Sequence, residues 1–254
     1  MRLANPHFMS RLYDVFNEGQ RLQASSCGGT TMSLFPNTGG ATVSAPLAAV
    51  TLASHAESGN DPGSSFTFSS QALGAAAADR KLVVITGAGS SGATISAMTI
   101  AGVSAELVLA KHTAESHSEM WQADVPTGTS GDIVITYSTT IHNTGIGIFR
   151  ITGAGTGPTS PSDTANDSQA APIALTITVP ANGVCIAGAC DDATSSHTWA
   201  ELTEVYDASA SGGSRMHTGA LLASETLQTD LAVTCTFSNT VSQETGLAAS
   251  WTPA

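Results

Sequence analysis

Charge is what this chain has least of. Of its 254 residues only 11% are Asp, Glu, Lys or Arg, against about 25% in an average globular domain. Basic groups are scarcest: eight Lys and Arg face twenty Asp and Glu, for a formal net charge of −12, and the only lysines are Lys81 and Lys111. A protein that grips a phosphate backbone needs clustered Lys and Arg, and one held on an anionic membrane needs a polybasic patch. Neither nucleic acid nor membrane is therefore expected as a partner. No apolar run reaches the ~18 residues of a membrane span. The N-terminal MRLANPHFMSRLYDVF places Asn, Pro, His and Asp where a secretory leader needs an unbroken apolar stretch, so no signal peptide is expected. The four cysteines, Cys27, Cys185, Cys190 and Cys235, have no C-x-x-C spacing. Cys185 and Cys190 fall in one strand pattern on opposite faces, so free buried thiols are expected and no metal at cysteine.

Ala, Gly, Ser and Thr fill the space that charge leaves, and from about Ala41 they alternate with apolar residues at period two. Segments such as SFTFSSQAL, RKLVVITGA, DIVITYSTT, IALTITVP and DLAVTCTFSN are separated by turn clusters such as SGNDPGSS and PTGTSGD. About fourteen short strands result. Together they predict an all-β protein, an antiparallel β-sandwich of jelly-roll or lectin-like type over 41–254. The stretch 156–172, TGPTSPSDTANDSQAAP, reads as a long surface loop of one sandwich, or as a linker between two tandem ones at 41–155 and 170–254.

Residues 1–40 differ. Asn5-Pro6 is a helix start, Gly19 a stop, and Phe8, Leu12 and Phe16, with Met9 and Tyr13 beside them, form one apolar stripe at helical spacing. An α-helical arm over Pro6–Glu18 with a polar connector to residue 40 is expected. The stripe fits either its own sandwich or a partner's groove.

The second half echoes the first at an offset of about one hundred. KLVVITGAG (81–89) answers GVCIAGAC (183–190), GVSAEL (102–107) answers TWAEL (198–202), and EMWQADVP (119–126) answers RMHTGALL (215–222). DIVITYS (132–138) answers LAVTCTFS (231–238), and TGIGIFRITGA (144–154) answers TGLAASWTPA (245–254). An internal duplication within the β region is expected; the period is too long for a solenoid.

Chemistry is sparse. His112 and His117, with Glu115 and Glu119, sit in KHTAESHSE, a hairpin pattern whose spacing does not converge on a metal. Asn60-Asp61, Asp163/Asn166/Asp167 and Asp191-Asp192 offer oxygen ligands, but none follows the calcium-loop pattern, and Asx turns explain them. GAGSSG (87–92) lacks the lysine of a phosphate loop, and no G-x-S-x-G elbow occurs. No catalytic residue, metal site or cofactor is expected. Trp121, Trp199 and Trp251 belong to the core if buried and are sugar-stacking candidates if exposed.

The phrases TSGDIVITYSTTIHNTGIGIFRITGA, ITVPANGVCIAG, TWAELTEVYDAS and GLAASWTPA resemble a family of phage and prophage virion β-sandwich proteins, over about residues 62–254. The resemblance implies a particle component of tail-associated, fibre or head-decoration type. It implies capsid, tail or neck proteins as partners, many copies or a homo-oligomer, and a virion location after assembly in the host cytoplasm. It carries no site residues. The alternative is a carbohydrate-binding host-attachment module, using calcium and a host-surface glycan.

Overall fold

Short alternating segments rich in β-branched residues pair into antiparallel sheets, because a half-buried pleat rewards period-two burial. The computed structural model describes residues 45–59, 62–89, 92–155, 157–166, 172–193, 195–210 and 215–254. It is all-β, with seventeen strands among those residues, against the fourteen expected. In the first half they are β1 (Ala49–Glu57), β2 (Gly63–Ala72), β3 (Lys81–Gly89), β4 (Ile95–Ile100), β5 (Val103–Ser104), β6 (Glu106–His112), β7 (His117–Asp124), β8 (Ser130–Ile141) and β9 (Asn143–Thr152). In the second they are β10 (Ser162–Asn166), β11 (Ile173–Val179), β12 (Gly183–Asp191), β13 (His197–Ala200), β14 (Thr203–Ala210), β15 (Arg215–Ser224), β16 (Gln228–Phe237) and β17 (Glu244–Trp251).

The additional strands come from segments read too coarsely. WAELTEVYDA looked like one strand, yet it is cut at Glu201, whose φ of 68° turns the chain and sends β13 and β14 into different sheets. Ala101 and Gly102, with φ of 52° and 81°, instead turn the chain back within one sheet, so that the two-residue β5 pairs with β4. The stretch 156–172 contains β10, which pairs with β17. An edge strand spelled SDTAN has no apolar alternation to announce it. The expected helical arm, with Phe8, Met9, Leu12, Tyr13 and Phe16, lies outside the described residues, as does Cys27.

The sheet orders make the duplication explicit. The first half forms β1-β9-β3-β7-β6 and β2-β8-β4-β5; the second forms β10-β17-β12-β15-β14 and β11-β16-β13. Passing over the two-residue β5, every strand of one half has its counterpart, in order, in the other. The phrase matches are less faithful. DIVITYS and LAVTCTFS share faces: Ile133, Ile135 and Tyr137 pack as Val233, Cys235 and Phe237 do. TGIGIF against TGLAAS is one residue out, because Ile146 faces the outer core of its half whereas Leu247 faces the opposite side of its sheet. A slip of one residue inverts every side chain in a strand. EMWQ against RMHT is likewise inverted, with Trp121 outward and His217 inward. The AEL match sets the start of β6 against the end of β13, whose true counterpart is β4.

Three cores stack these sheets into four layers within the compact unit Ser44–Ala254. One lies between the first half's two sheets, with Leu82, Val84, Trp121, Ile133, Ile135, Ile146 and Ile148. One lies between the second half's, with Ile173, Leu175, Cys185, Trp199, Val233 and Cys235. The third joins the halves: Val83, Ile85, Met120, Phe149 and Ile151 meet Val184, Ile186, Leu247, Ala249 and Trp251. The two five-stranded sheets thus bury both faces, which is why β3, β12 and β17 are buried almost throughout.

Candidate functional site

The seam between the five-stranded sheets changes character along its length. At one end Trp251 is fully buried, and its indole Nε1 donates to Gln122 Oε1 at 3.0 Å. At the other, where β3 and β12 end and β7, β9, β15 and β17 begin, hydroxyls cross the seam. Ser118 and Thr245 hydroxyls lie 2.8 Å apart, and Ser116 donates to the Cys190 carbonyl at 2.8 Å. Beside them stands an aromatic and imidazole cluster. His217, 2% exposed, lies over Gly87 and Gly145 of the other half, where an added Cβ would collide with its side chain, at Gly145 with the ring itself. Its Nε2 is 3.3 Å from Glu57 Oε1, but neither ring nitrogen makes an aligned hydrogen bond. His55 Nδ1 meets the same Glu57 oxygen at 3.1 Å and stacks on Tyr206 at 5.3 Å. Tyr206 in turn lies over Gly147 and Gly219.

Two further imidazole–carboxylate groups occupy the same end, one in each half, on the outer faces of the five-stranded sheets. In the first half Glu119 accepts from the Ile95 amide at 2.9 Å and from Trp121 Nε1 at 2.9 Å, and contacts His112 Nε2 at 3.1 Å. His112 stacks on His117 at 4.7 Å. In the second half Asp207 accepts from the His197 amide at 2.9 Å and holds His197 Nδ1 at 2.6 Å. Each carboxylate thereby caps the first residue of the partner sheet's strand, β4 or β13, so the polar groups stitch sheet to sheet.

Electrostatics follow from burial. The His217 imidazole is held below its ordinary 6.5 by burial, against the opposing pull of Glu57. Glu57 is held below its ordinary 4.5 by His217 beside it, against burial. Burial pushes the Cys185 thiol up to about 12, raises Cys235, and raises the Tyr137 and Tyr206 phenols. These thiols and phenols are neutral packing groups at physiological pH.

In the second half one imidazole lies between two carboxylates. His197 is held by Asp207, but its Nε2 faces Asp191 at 3.5 Å, and the Ser195 hydroxyl donates to that same Asp191. A carboxylate therefore stands where a nucleophile would have to meet the imidazole, and Ser195, His197 and Asp191 are all buried.

The positions singled out from sequence fall as follows. His112, His117 and Glu119 come together, but no group of three or more metal-ligating residues able to hold an ion occurs among the described residues. Asp191 and Asp192 receive hydrogen bonds from Ser195 and Ser242. Asn60, Asp61 and Asp167, and the side chains of Asp163 and Asn166, lie outside the described residues. Trp121, Trp199 and Trp251 are all buried, so the core reading holds and no sugar-stacking tryptophan is exposed. Cys185, Cys190 and Cys235 are buried and form no disulfide. Sequence reasoning missed Glu57, His55, Tyr206 and His217: β1 and β15 lie about 160 residues apart with no motif linking them. The one readable signal was the glycine pairing of IGIF and HTGA, which marks close sheet approach.

No family model matches the chain, and neither does any curated protein or solved structure.

Proposed function

We propose that this chain is a non-enzymatic structural protein of a phage particle, anchored by residues 1–40 and projecting the β region as a decoration, fibre or tail-associated protein. On this reading each half is a jelly roll. The order β1-β9-β3-β7 against β2-β8-β4, with the strand after β4 split between the two sheets as β5 and β6, supports it, and so does the same order in the second half. The observation that carries the proposal is the doubling itself. Two equivalent sandwiches share a third core, an investment in rigid bulk, and their buried titratable groups bind sheet to sheet instead of opening to a substrate. A mostly uncharged, hydroxyl-rich exterior suits a component present in many copies, where weak contacts gain from avidity. The phrase resemblance to virion proteins points the same way.

The partner-docking residues remain Phe8, Met9, Leu12, Tyr13 and Phe16. Deleting residues 1–40 is expected to leave a folded β region that no longer joins particles. Incorporation of the truncated protein at full occupancy overturns the anchor. The carbohydrate-binding alternative finds no support in the tryptophans. The clefts near Glu106, of about 460 and 570 Å³, are lined by residues such as Leu107, Gln122, Pro158 and Lys81, with no aromatic ring.

A further inference from the structure

We propose that the seam between the two sandwiches is an acid-sensitive joint, with His217 as the group that senses the proton. The geometry carries the argument. His217 belongs to β15 of the second half but seats on glycines of β3 and β9 in the first, so its ring is part of the contact between halves. A buried imidazole without aligned hydrogen bonds at either nitrogen is costly, and adding a proton there places a charge in the seam itself.

The groups facing it define what that charge meets. From β1 come Glu57, at 3.3 Å, and His55, which also contacts Glu57. From β14 comes the Tyr206 ring, 5.3 Å away, with Asp207 directed to the other face of the sheet toward His197. From β12 comes the Cys190 thiol, which shares the space over Gly87, with Asp191 on the opposite face. β3 and β9 offer glycines only. One partly exposed carboxylate is thus the near counter-charge, and it is shared with a second imidazole. The burial of His217 is consistent with this, since it favours the neutral ring.

The direction follows by linkage. A histidine whose folded value lies below 6.5 takes up its proton more readily in the unfolded chain. Its contribution to stability is complete above 6.5 and is lost as pH falls toward the folded value. Glu57 contributes in the same direction, but only below its ordinary 4.5. Loss between pH 6.5 and 5 is therefore not due to Glu57, and the His217→Gln variant separates the part due to His217 from that of the other histidines.

The test is thermal unfolding of the full chain from pH 7.5 to 5.0, with amide exchange read on β3, β9, β12 and β15 against the outer strands β8 and β16. The expected result is a fall in melting temperature of roughly 3–5 °C per unit of pKa depression, exchange rising first along the seam, and a His217→Gln variant lacking this fall. An identical pH dependence in His217→Gln, or a His217 ring that titrates at or above 6.5 by NMR, overturns the proposal. Should His217→Gln fail to fold, Glu57→Gln serves. Without the counter-charge the folded ring takes its proton at lower pH, so the pH 6.5–5 loss should become steeper and larger, and an unchanged loss contradicts the proposal.

Discussion

The two ends of the seam hold the same two sheets together by different physics. At the Trp251 end, Phe149, Ile151, Val83 and Val184 bury apolar area, at about 25 cal/mol per Å², and the energy is indifferent to pH. At the His217 end, hydroxyls and imidazoles exchange water for one another, so each contact is worth little net and much when broken. The lesson is that a duplicated scaffold can keep one fold in both halves while its joint is graded from a fixed end to a conditional one.

Breaking the fixed end should cost most. Trp251→Ala removes the largest buried side chain of the shared core and the bond to Gln122, and should lower stability by about 3–5 kcal/mol, read by urea denaturation. Thr245→Val at the conditional end should cost about 1–3 kcal/mol, because it strips Ser118 of its partner across the seam. If Thr245→Val costs as much as Trp251→Ala, the contrast between the ends fails. Ile85→Val, a single methyl in the shared core, should cost about 0.5–1.5 kcal/mol at every pH from 5 to 8. Thr67→Val, exposed on β2, should change stability by no more than about 0.5 kcal/mol and calibrates the others.

Legibility in the sequence tracked local periodicity. Strands with one buried face, such as β8 and β11, announced themselves by alternation, and Trp121 leaned to core because Ala123 and Val125 share its strand face. β10 and β5 did not, since an edge strand of polar residues and a two-residue strand carry no period. The duplication was visible as phrases, yet only burial could set its register: matching Thr144-Gly145 to Thr245-Gly246 looks right in letters and inverts the sheet. The polar cluster was the least legible part. Glu57 and His217 meet through topology alone, and glycines that let sheets approach resemble glycines that make turns.

On this reading the shared core makes the two halves one folding unit. This is tested most directly by a urea titration with amide-exchange mass spectrometry, comparing peptides from β8 in the first half with peptides from β16 in the second. Coincident midpoints are expected, because neither half can lose its partner without exposing Val83, Ile85, Phe149 or Ile186 to water. Midpoints separated by more than about 0.5 M urea would show two independent sandwiches and contradict the account.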